Sequence, residues 1–347
     1  MKKRSSDGSD GMKTLLEMLE EVDSFSLAMA PGFFRKYAYC GALSALEDAG
    51  LLFLDSACGA SAGAIVAGML GCGKTPNELR STLFALERRD IWDPSFFTIF
   101  FGFLKGVKLQ ETLERYMDIK QMENSTIPIG VTAFDIMHFC TKILQTGSLV
   151  RNVAASCSVP VMFQPVMIDG SPCVDGGVFD NAGIMALPLT HQLSPSSSKG
   201  KSNKRDGRNK LLKNRFVVNI MADESQVKDS ILPSGIETSR TTLLTIVLKG
   251  VPHVSPFSMK EGGPLAFDVA KIGLVRALRG DSVTMSKLSH NHYLSIVDCF
   301  VVNPTTLILS DSSSNIIEET GKMTHRRRSS SRRRNGCLKN KCDETII

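Results

Sequence analysis

The chain has 347 residues, 42% of them apolar and 22% charged, with a formal net charge of +6. That is enough apolar material for a full core, yet no unbroken apolar run reaches the roughly 18–20 residues that cross a bilayer. The basic start, Met1-Lys2-Lys3-Arg4, has no apolar stretch of the secretory kind, and the nine cysteines are scattered, with no Cys-x-x-Cys or clustered Cys/His spacing. These features predict reduced thiols in an intracellular protein, cytoplasmic or peripheral to a membrane, with no structural zinc, other metal or cofactor. The charge is divided. Residues 194–215 hold eight Lys/Arg and one acid, residues 321–347 hold nine and two, each segment therefore +7, which leaves the remainder at −8.

In chain order, residues 1–23 are a polar start followed by a short amphipathic helix, with Leu15, Leu16, Met18, Leu19 and Val22 at helical spacing. Phe25–Ala30 reads as a first strand ending at Pro31-Gly32, Tyr39–Ala49 as a helix stopped by Gly50, and Leu51–Cys58 as a loop and second strand. Strand, helix, strand is the opening of a parallel sheet covered by helices. Thr75-Pro76-Asn77-Glu78 starts a further helix, with a capping threonine, proline at the first helical position and glutamate three residues after the cap. The aromatic run from Phe96 to Phe103 is core material whose glycine and proline punctuation also suits an acyl-binding flap. Lys108–Tyr116 and Ser148–Cys157 read as helices, Ile127–Phe134 and Phe139–Gln145 as two strands joined by a turn, and Phe216–Met221 as a strand. Thr241–Lys249 and Ala266–Leu278 read as helices, and Tyr293–Val302 as a last strand. The Ser/Lys/Asn/Gly segment 194–214 is a basic, disordered insert and 311–347 a disordered Ser/Arg-rich tail.

The chemistry centres on Gly59-Ala60-Ser61-Ala62-Gly63, between the second strand and the apolar run Ala64–Leu70. Glycine two residues either side of a serine fits a nucleophile elbow, where Ser61 projects at a helix N-terminus that favours developing negative charge. It fits equally a small-residue turn that lets a helix pack closely on a sheet. A nucleophilic serine needs a base. None of His138, His191, His253, His290, His292 and His325 has flanking residues that mark it as one, whereas Asp175 is followed by Gly176 and Gly177 and flanked by Val174, Val178 and Phe179. Those glycines permit close backbone approach, and apolar neighbours desolvate the carboxylate and make it more basic.

With both segments in view, the sequence resembles the patatin-like phospholipase family. The resemblance rests on Gly59-Ala60-Ser61-Ala62-Gly63 and on Ala154–Pro160, Phe163, Pro165, Ile168-Asp169-Gly170 and Val174–Asn181. It covers about residues 24–190, with weaker support to about 305. The resemblance implies a three-layer α/β/α fold with a mainly parallel central sheet, and a hydrolase domain over 24–310. It also implies metal-free cleavage of acyl esters in phospholipids, galactolipids or acylglycerols by a Ser–Asp dyad through an acyl-enzyme. Ser61 would be the nucleophile and Asp175 the base, the second Asp-Gly being preferred over the rival Asp169.

The family's Gly-Gly-Gly-x-Arg-Gly loop corresponds here to Ala30-Pro31-Gly32-Phe33-Phe34-Arg35-Lys36, with only Gly32 and Arg35 in common. Pro31 has no N–H, so the oxyanion would fall to the amides of Gly32, Phe33 and Phe34. This departure keeps open a weakened, non-hydrolytic lipid-binding protein or a transacylase. A different class is offered by Gly68–Thr75, which satisfies the P-loop spacing Gly-x4-Gly-Lys-Thr but follows a helical rather than a strand-like segment. The expected partners are the lipid substrate and, transiently, a membrane or lipid-droplet surface, with the arginines of 326–334 favouring an anionic one. Nucleic acid is not expected.

Overall fold

A computed structural model describes residues 12–32, 34–95, 102–188 and 214–299. Phe33, the Phe96–Phe101 part of the aromatic run, the insert through residue 213 and the tail lie outside the described residues. A compact unit ends at Val301.

The order of elements is α1 (Leu15–Glu20), β1 (Phe25–Met29), α2 (Lys36–Asp48), β2 (Leu54–Gly59), α3 (Ala62–Gly71), α4 (Pro76–Ala85), α5 (Val107–Tyr116), β3 (Ile129–Asp135), β4 (Cys140–Leu144), α6 (Leu149–Ser156), β5 (Val166–Ile168), β6 (Ser171–Asp175), β7 (Arg215–Met221), β8 (Thr241–Lys249), α7 (Met259–Leu278), β9 (Val283–Ser289) and β10 (His292–Asp298). The ten strands form one sheet in the order β5-β6-β3-β2-β1-β7-β8-β10-β9, with β4 paired to β3. From β3 to β10 the neighbours are parallel, and antiparallel strands finish both ends. This is the mainly parallel α/β sheet that the sequence predicts.

The sheet separates two cores of different construction. Leu27, Met29, Val218, Ile220, Leu244, Ile246 and Leu248 face the α-helices named above. Ala28, Cys58, Val217, Met221, Leu243 and Val247 face the opposite way, onto Ala182–Leu187 and the segment around Val227, Leu232 and Ile236. The second outer layer is therefore, among the described residues, built from irregular chain and 3-10 turns. Among those residues no helix is long and apolar enough to cross a membrane.

One expectation needs correction. Thr241–Lys249 is not a helix but the strand β8, hydrogen-bonded between β7 and β10. Its residues are buried on both faces, so the run lacks the alternation that marks a half-exposed strand, and periodicity could not tell it from a helix. The P-loop spacing lacks a strand before it, as the helical reading of that segment predicts. Residues 62–71 are helical, Pro76 occupies the first turn of α4, and the Lys74 ammonium pairs with Asp118 at 2.7 Å rather than pointing into a phosphate cradle.

Other elements follow local chemistry. Thr14 with Glu17, and Thr75 with Glu78, close reciprocal capping boxes on α1 and α4. Helix α7 begins seven residues earlier than its apolar pattern, running through Gly262-Gly263-Pro264. Its packing supplies the reason: a Cβ on Gly41 of α2 would stand 2.2 Å from the Phe267 carbonyl oxygen, and one on Gly263 2.8 Å from the Tyr37 ring. Close contact between α2 and α7 overrides the breakers.

Candidate active site

The site is positioned by β3. Val131 pairs with Gly59 at the end of β2, and over Val131–Asp135 the other edge of β3 is taken by β4. Asp175 pairs with Ala133, so β6 must lie on the edge that β2 has just left. Two segments far apart in sequence thus abut end to end along one strand, and Ser61 and Asp175 meet where β2 stops and β6 ends.

At that point the chain turns sharply. Ser61 has φ 51° and ψ −112°, a conformation L-residues rarely adopt, and it is the residue from which α3 begins. The small residues around it are required by contact. A Cβ on Gly59 would stand 2.4 Å from the Gly63 carbonyl carbon, and one on Gly63 2.2 Å from the Met29 carbonyl oxygen. Ala60 is wholly buried, with its amide donating to the Met29 carbonyl at 3.3 Å, and Ala62 opens α3. The Ser61 amide donates to Ser156 Oγ at 2.9 Å, and its carbonyl accepts from Cys157 Sγ at 3.3 Å. The two residues that end α6 therefore hold the elbow in its strained form.

Asp175 is buried, and its amide donates to the Ser158 carbonyl at 2.9 Å. Its Oδ1 accepts from the Gly177 amide at 2.8 Å, while Oδ2 has no partner. Desolvation pushes the carboxyl up to about 6, against the opposing effect of the neighbouring Ser61 side chain and the hydrogen bond from the Gly177 amide. Gly176 is needed because a Cβ there would lie 2.2 Å from the Thr132 carbonyl oxygen; one on Gly177 would lie 2.7 Å from Pro31 Cβ. The rival Asp169 is exposed and ion-paired with Lys142 at 3.1 Å. Among the described histidines, His138 pairs with Asp135 at 3.0 Å and His292 meets Thr245 at 2.9 Å, and none hydrogen-bonds Ser61 or Asp175.

Facing the elbow, Pro31 accepts a hydrogen bond from Gln226 at 3.1 Å, and the Gly32 carbonyl accepts from the Arg35 amide at 3.1 Å. Phe34 has φ 57°, and the Arg35 guanidinium ties the loop to the Val251 carbonyl at 3.1 Å. Of the three amides expected for an oxyanion, those of Gly32 and Phe34 belong to this turn and that of Phe33 lies outside the described residues.

Several residues that shape the site escaped the sequence reading. Asp180 is buried, accepts from Thr132 Oγ1 at 3.0 Å and from the Ile184 amide at 3.1 Å, and so folds the chain after the Asp175 loop. Ser156 and Cys157 were visible only as members of a matching segment, and Lys36 only as a departure from a loop. An apolar rim also emerges. Phe134, Phe139 and Phe179 form a contiguous ring cluster, with centroids 4.7–6.2 Å apart. Phe139 and Met137, at the tip of the β3–β4 hairpin, are 75% and 66% exposed.

Residues 27–188 match the model of the patatin-like phospholipase family. Uncharacterised NTE-family proteins of Mycobacterium tuberculosis and Mycobacterium bovis are 29% identical over 158 residues, which is 45% of this chain and 43% of theirs. An uncharacterised protein of Acanthamoeba polyphaga mimivirus is 26% identical over 180 residues, 46% of this chain and 60% of that protein. The chain thus spans about half the length of these relatives. Among solved structures, VipD from Legionella pneumophila aligns with a TM-score of 0.39 at 11% identity, covering 74% of this chain and 67% of VipD. The type III effector ExoU aligns at 0.33 and 11%, covering 88% and 62%. The match to the patatin-like phospholipase family model runs from within β1 to just beyond the Asp175 loop, and so takes in both the Gly59–Gly63 turn and the Asp175-Gly176-Gly177 segment that the sheet brings together.

Proposed function

We propose that the domain cleaves carboxylic esters of lipids with Ser61 as nucleophile and Asp175 as its base. The observation that carries this is the meeting of a serine in a strained elbow at a helix N-terminus with a buried carboxyl raised to about 6. Such a carboxylate is ionised at neutral pH yet basic enough to accept a proton during attack. Ser61 Oγ adds to the ester carbonyl as its proton passes to Asp175. Collapse expels the alcohol, which takes that proton, and leaves the acyl chain on Ser61. Asp175 then deprotonates a water that attacks the acyl-enzyme, and the fatty acid leaves as the proton returns to Ser61. The amides of Gly32, Phe33 and Phe34, with that of Ala62 at the start of α3, are the donors for the oxyanion. Pro31 withholds one N–H, and each missing donor costs about 2.7–4 kcal/mol in the transition state. That same proline supports a slower enzyme or a transacylase as the second reading.

The Phe134–Phe139–Phe179 rim suits contact with a lipid surface, because it crowns the strand that carries the site and Phe179 follows the Asp175 loop directly. The basic segment 326–334 would add attraction to anionic lipid. The test is labelling with a fluorophosphonate probe alongside fatty-acid release from phospholipid vesicles. The unmutated protein should label and Ser61→Ala should not. Absence of labelling in the unmutated protein would refute a nucleophilic Ser61, and labelling without release would favour the transacylase.

A further inference from the structure

The 3-10 turn Glu224–Asp229 reaches both loops of the site from outside the conserved spacing of either. Gln226 Nε2 donates to the Pro31 carbonyl at 3.1 Å, and Asp229 Oδ2 accepts at 3.2 Å from Asn181 Nδ2, in the segment that follows Asp175. The base of this turn is firm. Asp223 caps it by accepting from the Ser225 amide at 2.9 Å, and Val227 packs on the second core. Ser230 is buried, with its hydroxyl 2.8 Å from Asn219 Nδ2 of β7 and 2.8 Å from Thr245 Oγ1 of β8. Gln226 is therefore carried by the middle of the sheet rather than by a free loop.

What Gln226 holds is a peptide that could otherwise turn over. Proline fixes φ at residue 31, but its ψ stays free and glycine follows, so a paired change of ψ at Pro31 and φ at Gly32 swings the peptide between them with little steric cost. In a trans peptide the carbonyl and the next N–H point to opposite sides. Drawing the Pro31 oxygen toward Gln226 thus turns the Gly32 N–H away from it, and there the amide meets no acceptor among the described residues. Arg35 holds the downstream part of the turn, with its amide on the Gly32 carbonyl and its guanidinium on the Val251 carbonyl. Among the described residues, Gln226 is the one donor to the Pro31 carbonyl. A peptide turned over would present a carbonyl oxygen where a donor is needed, and that oxygen would repel an oxyanion.

We propose that Gln226 is a positioning residue for ester cleavage: by holding the Pro31 carbonyl it keeps the Gly32 N–H turned toward the oxyanion of the tetrahedral intermediate. This rests on Ser61 being the nucleophile and on the Gly32 amide serving the oxyanion.

The test compares the unmutated full chain with Gln226→Met, which keeps the length of glutamine without a donor, and with Gln226→Glu, whose carboxylate repels the carbonyl. Hydrolysis of a short-chain ester is measured beside the binding of two ligands of equal chain length. One is an alkyl trifluoromethyl ketone, to whose carbonyl carbon Ser61 Oγ adds as its proton passes to Asp175, leaving an oxyanion in the site. The other is the matching ether, which forms no adduct. Gln226→Met should lower kcat about tenfold, the scale of one hydrogen bond deciding between two peptide orientations, and less than the roughly 100-fold that follows outright loss of a donor. KM should stay within about twofold, and the ketone should weaken about tenfold while the ether binds as before, because the effect is confined to the transition state. Gln226→Glu should lose at least as much. Both variants should melt within a few degrees of the unmutated protein, since the side chain is half-buried. Equal kcat in the unmutated and Gln226→Met proteins would overturn the role, and so would equal weakening of ketone and ether, which marks a residue that only supports the pocket. If the unmutated protein neither cleaves the ester nor binds the ketone more tightly than the ether, the esterase reading falls and the role of Gln226 with it. Cleavage indifferent to Gln226 overturns the role alone.

Discussion

Gly177 stands so close to Pro31 that a Cβ on the glycine would lie 2.7 Å from the proline Cβ and 3.0 Å from Asp175 Oδ1. The loop bearing Asp175 and the loop facing Ser61 are thus in direct contact, and the Gly177 amide that holds Asp175 belongs to the same residue. Replacing Gly177 by alanine must push the two loops apart or rotate the carboxylate. We expect kcat for ester hydrolysis to fall about 100-fold, the scale associated with misplacing a catalytic group by about an ångström. Melting temperature and kcat measured on Gly177→Ala check this; unaltered kcat would mean that the contact does not position the base.

The raised Asp175 carboxyl fixes the sign of two pH effects. Acting as a base, it must be ionised, so kcat/KM should rise with pH through about 6 and level off above it. For stability the sign is opposite. The folded carboxyl has a higher pKa than the unfolded one, so its contribution is present below about 4 and is lost as pH rises through about 6. Asp175→Asn should therefore abolish most hydrolysis, about 100-fold or more, while raising stability at pH 7 by up to about 3 kcal/mol. Denaturant unfolding and a pH–rate profile on the two proteins measure both effects. A destabilised Asp175→Asn would contradict the desolvation argument.

The elbow is set by backbone contact rather than by side-chain preference. A Cβ on Gly63 would meet the Met29 carbonyl oxygen at 2.2 Å, in the middle of the sheet. Gly63→Ala should cost about 3 kcal/mol or more, because neither a strand carbonyl nor a helix start can yield easily. Ser61→Ala, by contrast, exchanges one strained non-glycine residue for another and should leave the melting temperature within a few degrees. Thermal unfolding of the two variants compares them directly.

The apolar rim predicts a difference between aggregated and dispersed substrate. Replacing Phe139 and Met137 together by serine removes two large exposed side chains and should weaken vesicle binding about tenfold or more. Hydrolysis of vesicle phospholipid should drop in parallel, with a short-chain ester below its aggregation limit as the control that needs no surface. Flotation with vesicles gives the binding term, and undiminished flotation would remove this rim from the lipid-docking surface.

Much of the fold could be read from local chemistry because its signals are local. The Thr75-Pro76-Asn77-Glu78 cap, the strand before Pro31 and the helical run Lys108–Tyr116 each depend on residues within a few positions of one another. The elbow glycines and the Asp-Gly-Gly loop were legible for a related reason: extreme steric demands leave few permitted residues. Strand β8 was not, since burial on both faces erases the alternation that separates strand from helix. Lys36 was not either, because a lysine in sequence reads as solvent-exposed until the packing of Phe34 and Tyr37 against it is known.

The sequence by itself determined a parallel α/β sheet, a serine at a forced turn and an aspartate in a glycine loop, since each follows from short-range sterics and hydrogen bonding. Only the tertiary structure decided that these two meet. Strand β6 occupies the edge of β3 that β2 vacates, and this long-range pairing sets Asp175 beside Ser61 and buries it enough to raise its carboxyl to about 6. Pairing register and desolvation are properties of the assembled sheet, and no segment of the chain carries them alone.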